Sequence, residues 1–196
     1  MLLFSLTEHQ GLVILPFTRL NGGPMDFTPG IFEMDLSSFT EGRNTSWVNA
    51  TIANQLALYI TMYSPLQMAA DFPEHYEKFI DAFQFIKDVD VDWIQSKYLM
   101  AEPGDYIVIA RQGKKEGRWF CGGVTDDHER TINVPMNFLS PNQKYLVNIY
   151  RDADDAHYKN NPQAYIIEQK EVTSDSIIQI RMAPGGGFAM SFNEIK

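Results

Sequence analysis

Residues 105–124, DYIVIARQGKKEGRWFCGGV, contain two apolar runs separated by a short polar segment. DYIVIAR and GRWFCGGV are rich in β-branched and aromatic residues, whereas QGKKEG between them has the glycine-containing, charged composition of a turn. The stretch therefore predicts two antiparallel strands joined by a turn. It also contains the chain's single cysteine, Cys121, for which the alternating pattern favours a buried structural thiol over a nucleophile.

The same pattern continues to the end of the chain. Further strands are predicted in RTINV, KYLVNIYRD, QAYIIEQKE, SIIQIRM and GFAMSF, and the turn-forming segments TDDHE, LSPNQ, KNNP, VTSD and APGGG separate them. About seven short strands with regular turns are typical of a small all-β sandwich of antiparallel strands. We expect this domain to occupy residues 89–196.

The first half of the chain has a different sequence pattern, which predicts one strand, a long loop and helices. The apolar run LVILPF, Leu12–Phe17, predicts a strand covered on both faces in a parallel sheet, and a loop rich in Gly and Pro follows it. A helix with an apolar stripe is predicted to begin near Trp47 and to end at Ser64-Pro65, and a shorter helical segment, PEHYEKFIDAFQFI, comes next. One strand-loop-helix unit cannot bury its own faces, so it needs further strands of a sheet or barrel.

Composition and charge narrow the function. The 196 residues are 44% hydrophobic and 13% aromatic, with a net charge of −9, so a packed core is expected and nucleic acid is excluded as a partner. The N-terminal MLLFSL lacks a basic flank and is too short for a signal peptide or a membrane span. We therefore expect no signal in this chain and no membrane partner.

Several segments resemble glycoside hydrolase family 97. ILPFTRLNGGPMDFTPG and ANQLALYITMYSPLQMAAD are similar to the last βα unit of that family's barrel. DYIVIARQ, RWFCGGVTDDHERTINVPMNFL, YRDADDAHYKNNPQAY and MAPGGGFAMSF are similar to its C-terminal β-domain. The resemblance implies an α+β composite fold, in which the last strand-loop-helix unit of a (β/α)₈ barrel is followed by a β-sandwich. Residues 1–88 would be the barrel fragment and residues 89–196 an oligomerisation-type domain.

The resemblance also implies a function for the intact enzyme. Members are bacterial, periplasmic or secreted, calcium-dependent α-glucosidases or α-galactosidases, whose catalytic carboxylates and calcium ligands lie upstream of the region matched here. The family's glutamate-bearing stretch before this region is absent. We therefore expect a fragment that begins just before the eighth barrel strand, with no catalytic residue, no metal ligand, no bound calcium and no activity of its own.

The expected partners follow from the same resemblance. They are an α-linked oligosaccharide in the intact enzyme and a second copy bound through the β-sandwich. The alternative is a non-catalytic module that serves oligomerisation or carbohydrate binding, and a sandwich whose aromatic residues mostly alternate into the core favours oligomerisation.

Arg19 and Asp26 are the candidate substrate-binding residues. They follow the predicted strand, and active sites of (β/α)₈ barrels lie at the C-terminal ends of the strands. Contact with sugar hydroxyls is one interpretation. The other is that the two side chains pair with each other or cap turns of the loop.

The remaining polar and aromatic candidates have structural interpretations. Trp47 and Trp93 are able to stack on sugar rings, but core positions are favoured for both. His128 has no partner at the spacing of a catalytic or metal site. Asp152, with the two aspartates that follow it, is spaced loosely like calcium ligands, but lacks the glycine and glutamate of an EF-hand, which favours a solvated turn.

Overall fold

The computed structural model of the chain describes residues 9–37 and 47–195. The described helices all lie before residue 89: α1 His9–Ile14, 3₁₀ turns Leu15–Phe17 and Arg19–Gly22, α2 Ile52–Thr61, α3 Pro73–Lys78 and α4 Ile80–Asp88. The strands follow them: β1 Trp93–Glu102, β2 Tyr106–Gly113, β3 Trp119–Thr125, β4 Arg130–Pro135, β5 Tyr145–Asp152, β6 Tyr165–Val172, β7 Ile177–Met182 and β8 Gly187–Glu194.

The strands form two antiparallel sheets. Six of them pair in the order β1-β2-β3-β8-β5-β6, and β4 pairs with β7 in a separate two-stranded sheet. Every residue of β3 is buried, as are the first six residues of β8. The large sheet is therefore covered on both faces at its centre and forms the middle of three layers.

Helix α2 covers one face of the large sheet. All ten of its residues are buried, and it packs on β3 and β8. Gly122 of β3 permits this close approach, because a Cβ there would lie 3.0 Å from Ile60 Cβ and 3.1 Å from the carbonyl oxygen of Ala57. In the predicted strand GRWFCGGV, Gly122 is therefore the residue on which α2 packs.

The end of α2 is fixed by a buried arginine of β2. Arg111 Nε donates to the Ile60 carbonyl at 2.6 Å, and Nη1 donates to Ser96 Oγ at 2.6 Å. The guanidinium carbon lies 5.4 Å from the ring centroid of Tyr63 and 5.8 Å from that of Trp93. Arg111 therefore binds a carbonyl at the helix C-terminus and two aromatic rings at once.

The two-stranded sheet covers the other face of the large sheet. Ile132 and Val134 of β4 and Ile178 and Ile180 of β7 join a core with residues of β2, β3, β5 and β8. Cys121 lies in this core, where burial raises the pKa of its thiol. The prediction of a structural cysteine is confirmed.

The predicted strand Leu12–Phe17 is wrong for this structure. These residues form the end of α1 and a 3₁₀ turn, and both sheets of the described chain begin only at Trp93. A strand needs a neighbour to bond its backbone N–H and C=O groups. Within residues 9–37 and 47–195 no strand pairs with this segment. Its backbone instead bonds within itself, as in the 3.2 Å bond from the Thr18 N–H to the Leu15 carbonyl, and to the turn between β1 and β2, as in the 3.3 Å bond from the Gly104 N–H to the Val13 carbonyl.

All seven predicted strands of the second half are confirmed, and the structure adds an eighth, β1. Its sequence, WIQSKYLMAE, mixes polar and apolar residues without a clear alternation. The physical reason is its place at the edge of the sheet, where most of its side chains are exposed or only partly buried.

The helical predictions hold with shifted boundaries. Helix α2 ends at Thr61, before Ser64-Pro65, but begins at Ile52 rather than near Trp47. The second helical segment is broken at Phe79 into α3 and α4, which turns Ile80 outward to 56% exposure. None of the helices within residues 9–37 and 47–195 combines the length and apolarity needed to cross a bilayer.

Candidate functional site

The loop of residues 24–34 is fastened to one side of α2. Gln55 Oε1 accepts the backbone N–H groups of Gly30 at 3.0 Å and Ile31 at 3.1 Å. Gly30 has φ 95°, and a Cβ there would lie 2.6 Å from the Tyr59 hydroxyl oxygen. The sequence FTPG therefore turns closely against the helix because glycine alone fits both the backbone conformation and the space.

Asp71 holds the far end of the same loop. Its Oδ2 accepts the N–H groups of Phe32 and Glu33 at 2.8 Å each, and its Oδ1 lies 2.5 Å from His75 Nδ1. Burial by itself would raise the pKa of Asp71, but these hydrogen bonds prevail and lower it. The loop is thus held by hydrogen bonds to the Asp71 carboxylate at Phe32 and Glu33, and by hydrogen bonds to Gln55 of α2 at Gly30 and Ile31.

A cavity of about 170 Å³ lies between this loop, residues 48–50 and α2. Its polar lining residues are Asp26, Thr28, Asn49 and Gln55, and its apolar lining includes Leu12, Phe27, Ile31, Val48 and Leu58. Asp26 is the single carboxylate among the described residues of this lining. Mixed apolar walls with a few polar groups are typical of small-molecule sites.

Gln55 is the buried polar group of the cavity. Its side chain belongs to a residue that is only 5% exposed, and the two N–H donors at Oε1 fix which end of the amide carries the oxygen. Its Nε2 makes no hydrogen bond to any residue in the described part of the chain. The sequence analysis missed Gln55, although a glutamine inside the apolar helix sequence IANQLALYIT was a signal for it.

The structure separates the two predicted substrate-binding residues. Asp26 is exposed and lines the cavity. Arg19 is also exposed but lies outside the lining, and its Nη1 donates to the Gly23 carbonyl at 3.4 Å. That bond agrees with the turn-capping interpretation of Arg19. The substrate contact expected of either residue stays a prediction.

The tryptophans differ in exposure. Trp93 is 8% exposed and meets the Phe120 ring edge-to-face at 5.9 Å, which confirms its core position. Trp47 is 36% exposed, and its Nε1 donates to the Tyr158 carbonyl at 3.1 Å. The core position favoured for Trp47 is therefore wrong: its indole lies on the surface beside the loop between β5 and β6.

Asp152 is not part of a solvated turn. It is fully buried, and it accepts hydrogen bonds from Thr51 Oγ1 at 2.6 Å and from the N–H groups of Ala183 and Gly187 at 2.8 Å each. Burial raises its pKa to about 6 in spite of these donors. Because Thr51 caps α2 by accepting the Asn54 N–H, Asp152 joins the helix start to the turn between β7 and β8.

His128 also has partners that sequence spacing did not indicate. Its Nδ1 lies 2.9 Å from Asp126 Oδ2 and 3.2 Å from Asp127 Oδ1, and the hydrogen bond with Asp126 raises the pKa of His128. Asp126 also pairs with Arg130. Burial would raise the pKa of Asp126, but the bonds from His128 and Arg130 lower it.

This cluster does not fit calcium. Calcium takes six to eight oxygen ligands, whereas the group offers two carboxylates, one imidazole nitrogen and an adjacent guanidinium that already occupies Asp126. The cluster is therefore an ion-pair network at the turn between β3 and β4.

The fold and the cavity together define an antiparallel β-domain with a helical layer packed on its large sheet. Residues 92–193 match the family model described as glycosyl-hydrolase 97 C-terminal, oligomerisation. The chain belongs to the glycoside hydrolase 97 C-terminal family.

Comparison with individual proteins extends the likeness beyond that domain. The chain is 32% identical over 187 residues to a retaining alpha-galactosidase of Bacteroides thetaiotaomicron. The aligned residues make up 95% of this chain and 28% of the relative. A glycoside hydrolase family 97 enzyme of Pseudoalteromonas sp. strain K8, solved in complex with panose, is 41% identical with a TM-score of 0.89, over 96% of this chain and 29% of that chain. A beta-arabinopyranosidase, 19% identical with a TM-score of 0.77, shares the fold. The chain thus spans less than a third of these relatives.

Proposed function

We propose that this chain is the C-terminal part of a glycoside hydrolase that cleaves α-galactosidic bonds. The observation that carries the proposal is the 32% identity to a retaining alpha-galactosidase over 95% of the chain. A probable retaining alpha-galactosidase of Streptomyces bingchenggensis is 31% identical over 92% of the chain. These matches extend well beyond residues 92–193, which supports the assignment of residues 1–88 to the catalytic barrel.

The chain by itself is proposed to be inactive. Glycoside hydrolysis of this type needs two carboxyl groups about 5 to 9.5 Å apart. The described lining of the cavity offers Asp26 alone. In the intact enzyme Asp26 would accept a hydrogen bond from a substrate hydroxyl, and carboxylates elsewhere in the protein would carry the chemistry and any calcium.

The test compares the complete open reading frame that contains this sequence with the 196-residue chain. Both are assayed on nitrophenyl α-galactoside, nitrophenyl α-glucoside and panose. We expect the complete protein to prefer the α-galactoside and the chain to show no turnover. Asp26→Ala in the complete protein is expected to lower kcat/KM about tenfold, because one charge-assisted hydrogen bond is lost.

The matched control is Asp35→Ala, which removes an exposed carboxylate that does not line the cavity. It should leave kcat/KM unchanged. A complete protein inert on both nitrophenyl glycosides would contradict the proposed activity. Turnover by the 196-residue chain alone would contradict the proposal that the catalytic carboxylates lie elsewhere in the complete protein.

A second function, self-association, is favoured by the family's description as an oligomerisation domain. The two edges of the large sheet differ in how well they are protected. Edge strand β6 carries three charged residues in its eight positions, YIIEQKEV. Edge strand β1 carries two in ten, and its Ile94 and Tyr98 are 57% and 59% exposed. Since charges protect sheet edges from pairing, we infer that β1 is the edge that meets a second copy.

Sedimentation velocity over a wide range of concentrations tests this surface. Ile94→Lys with Tyr98→Lys is expected to weaken association at least about tenfold, whereas Ile177→Lys, at a 68% exposed isoleucine of β7, should leave it unchanged. A native chain that stays monomeric throughout, or a control that weakens association equally, would remove β1 from the proposal.

A further inference from the structure

We propose that the exposed apolar residues of segment 65–72, between α2 and α3, form the surface on which the rest of the complete protein docks. The occupant is the part of the same polypeptide that lies outside this chain. The inference rests on the proposed function only in taking this chain as the C-terminal part of a longer enzyme. It goes beyond the family match, which begins at residue 92.

Segment 65–72, PLQMAADF, has its polar side chains turned inward and its apolar side chains turned outward. Its two polar residues, Gln67 and Asp71, form hydrogen bonds with backbone groups at the end of α2 and in the 24–34 loop. Three large apolar side chains are instead more than half exposed: Leu66 at 68%, Met68 at 55% and Phe72 at 56%. Pro65, Ala69 and Ala70 are exposed as well. Neighbouring exposed apolar residues form a patch of the kind that marks an interaction surface.

Hydrogen bonds hold the segment in a defined conformation. Tyr59 of α2 places its hydroxyl oxygen 3.2 Å from the Met68 carbonyl oxygen, and the Ala70 N–H donates to the Pro29 carbonyl at 3.2 Å. The outward position of the apolar side chains is therefore fixed by the fold of the chain. A surface that is ordered in advance loses little conformational freedom when a partner binds.

The chemistry of the segment disfavours a lipid or a sugar as the occupant. The segment contains no lysine or arginine, and the chain carries a net charge of −9, so an anionic lipid surface would repel it. A sugar needs polar groups directed at its hydroxyls, whereas Gln67 and Asp71 are bonded to the chain's own backbone. An apolar protein surface matches what the segment presents.

The comparisons favour the same polypeptide over a second copy. The family model that is described as an oligomerisation domain covers residues 92–193 and does not include segment 65–72. The likeness to longer enzymes extends over 95% and 96% of this chain, which makes up only 28% and 29% of those relatives. Most of such a protein thus lies outside this chain, and it has to pack on the part that the chain shares with it.

The docking surface adjoins the cavity. Pro29, whose carbonyl accepts the Ala70 N–H, lines the cavity together with Asp26. A part of the protein that packs on segment 65–72 therefore lies beside the cavity, whose described lining offers a single carboxylate. The second carboxyl group that glycoside hydrolysis requires comes from that docked part.

Hydroxyl-radical footprinting of the 196-residue chain and of the complete protein measures which side chains are covered. We expect the modification rates of Leu66 and Met68 to fall at least about fivefold in the complete protein, because the core of a protein interface excludes water. Ile177 of β7, which is 68% exposed like Leu66, is the matched control and should react equally in both proteins. Unchanged rates at Leu66 and Met68 would overturn the proposal. Protection that arises in the chain alone at high concentration would also overturn it, in favour of a second copy.

The variant Leu66→Lys with Met68→Lys tests the same surface by its effect on stability. In the complete protein the midpoint of thermal unfolding should fall by at least about 4 °C, because two charges enter an apolar interface. In the 196-residue chain, where both side chains are exposed, the shift should stay below about 2 °C, and Ile177→Lys should stay below it in both proteins. Failure of only the complete protein to fold with the double variant is the same outcome in a stronger form. Equally small shifts in the two proteins would contradict docking on this surface.

The two proposals fail separately. Protection of Leu66 and Met68 in a complete protein that is inert on α-galactosides would leave the docking surface and remove the proposed activity. Hydrolysis of α-galactosides by a complete protein in which both side chains stay reactive would do the reverse.

Discussion

Replacement of Asp152 by asparagine is expected to remove a pH dependence that the native chain carries between about pH 4 and about pH 6. Asp152 is fully buried at the junction of Thr51 with the turn between β7 and β8. Its burial raises the pKa from the ordinary value of 3.8 to about 6, against the effect of three hydrogen-bond donors. Asparagine has nearly the same shape but no proton to lose in this range.

The sign follows from proton binding. A carboxyl group with a raised pKa holds its proton in the folded state when the unfolded chain has already released it, so the folded state is favoured at low pH and loses that advantage as pH rises. A difference of about two pH units corresponds to about 3 kcal/mol in the free energy of unfolding. Other carboxylates, among them Asp71 and Asp126, have lowered pKa values and act in the opposite direction.

The measurement must therefore be a difference between variants. Urea unfolding of the native chain and of Asp152→Asn is followed from about pH 4 to about pH 7, and we expect the native chain to lose about 3 kcal/mol relative to the variant over that range. Asp154→Asn is the matched control, because the Asp154 side chain is 90% exposed, and it should show no such trend. If the three donors outweighed burial, the native chain would instead gain stability relative to Asp152→Asn as pH rises, and the reasoning would be refuted.

Two further predictions concern the contact between α2 and the sheet. Gly122→Ala would place a Cβ 3.0 Å from Ile60 Cβ, and we expect the free energy of unfolding in urea to fall by about 2 kcal/mol; Gly22→Ala, with its nearest neighbouring atom at 3.9 Å, should change it by less than about 0.5 kcal/mol. Arg111→Lys retains the charge but cannot reach the Ile60 carbonyl and Ser96 together while stacking on two rings, so a loss of about 2 kcal/mol is expected in the same assay. A lysine variant as stable as the native chain would show that these bonds do not hold the end of α2.

The β half of the fold could be predicted because its information is local. Seven strands follow from alternation and turn composition, which act over a few neighbouring residues. The eighth, β1, was missed because it lies at an edge, where one side is open and polar residues carry no penalty. The element that covers each face of the large sheet could not be predicted in the same way. Nothing in the local sequence RWFCGGV indicates that a helix, rather than a second sheet, packs on Gly122.

The apolar segment Leu12–Phe17 shows the limit of periodicity. A continuous apolar run satisfies both a buried strand and a buried helical segment, and only its neighbours decide between them. Here Leu12 and Val13 are buried in a core cluster with Leu58 of α2 and with residues of β2 and β3, and the backbone forms turn bonds and one bond to Gly104 instead of a strand ladder. The resemblance to a barrel strand implied that another strand pairs with Leu12–Phe17. In the described part of the chain no strand pairs with that segment.

The candidate site depends on contacts that no local pattern shows. Thr51 meets Asp152 across 101 positions of the sequence, and Asn54 donates to the Gly186 carbonyl across 132. These bonds fix the first turn of α2, which includes Gln55, on the β-domain. The β-domain therefore holds the helix that lines the cavity, so loss of the Asp152 bonds should alter the cavity as well as lower the free energy of unfolding.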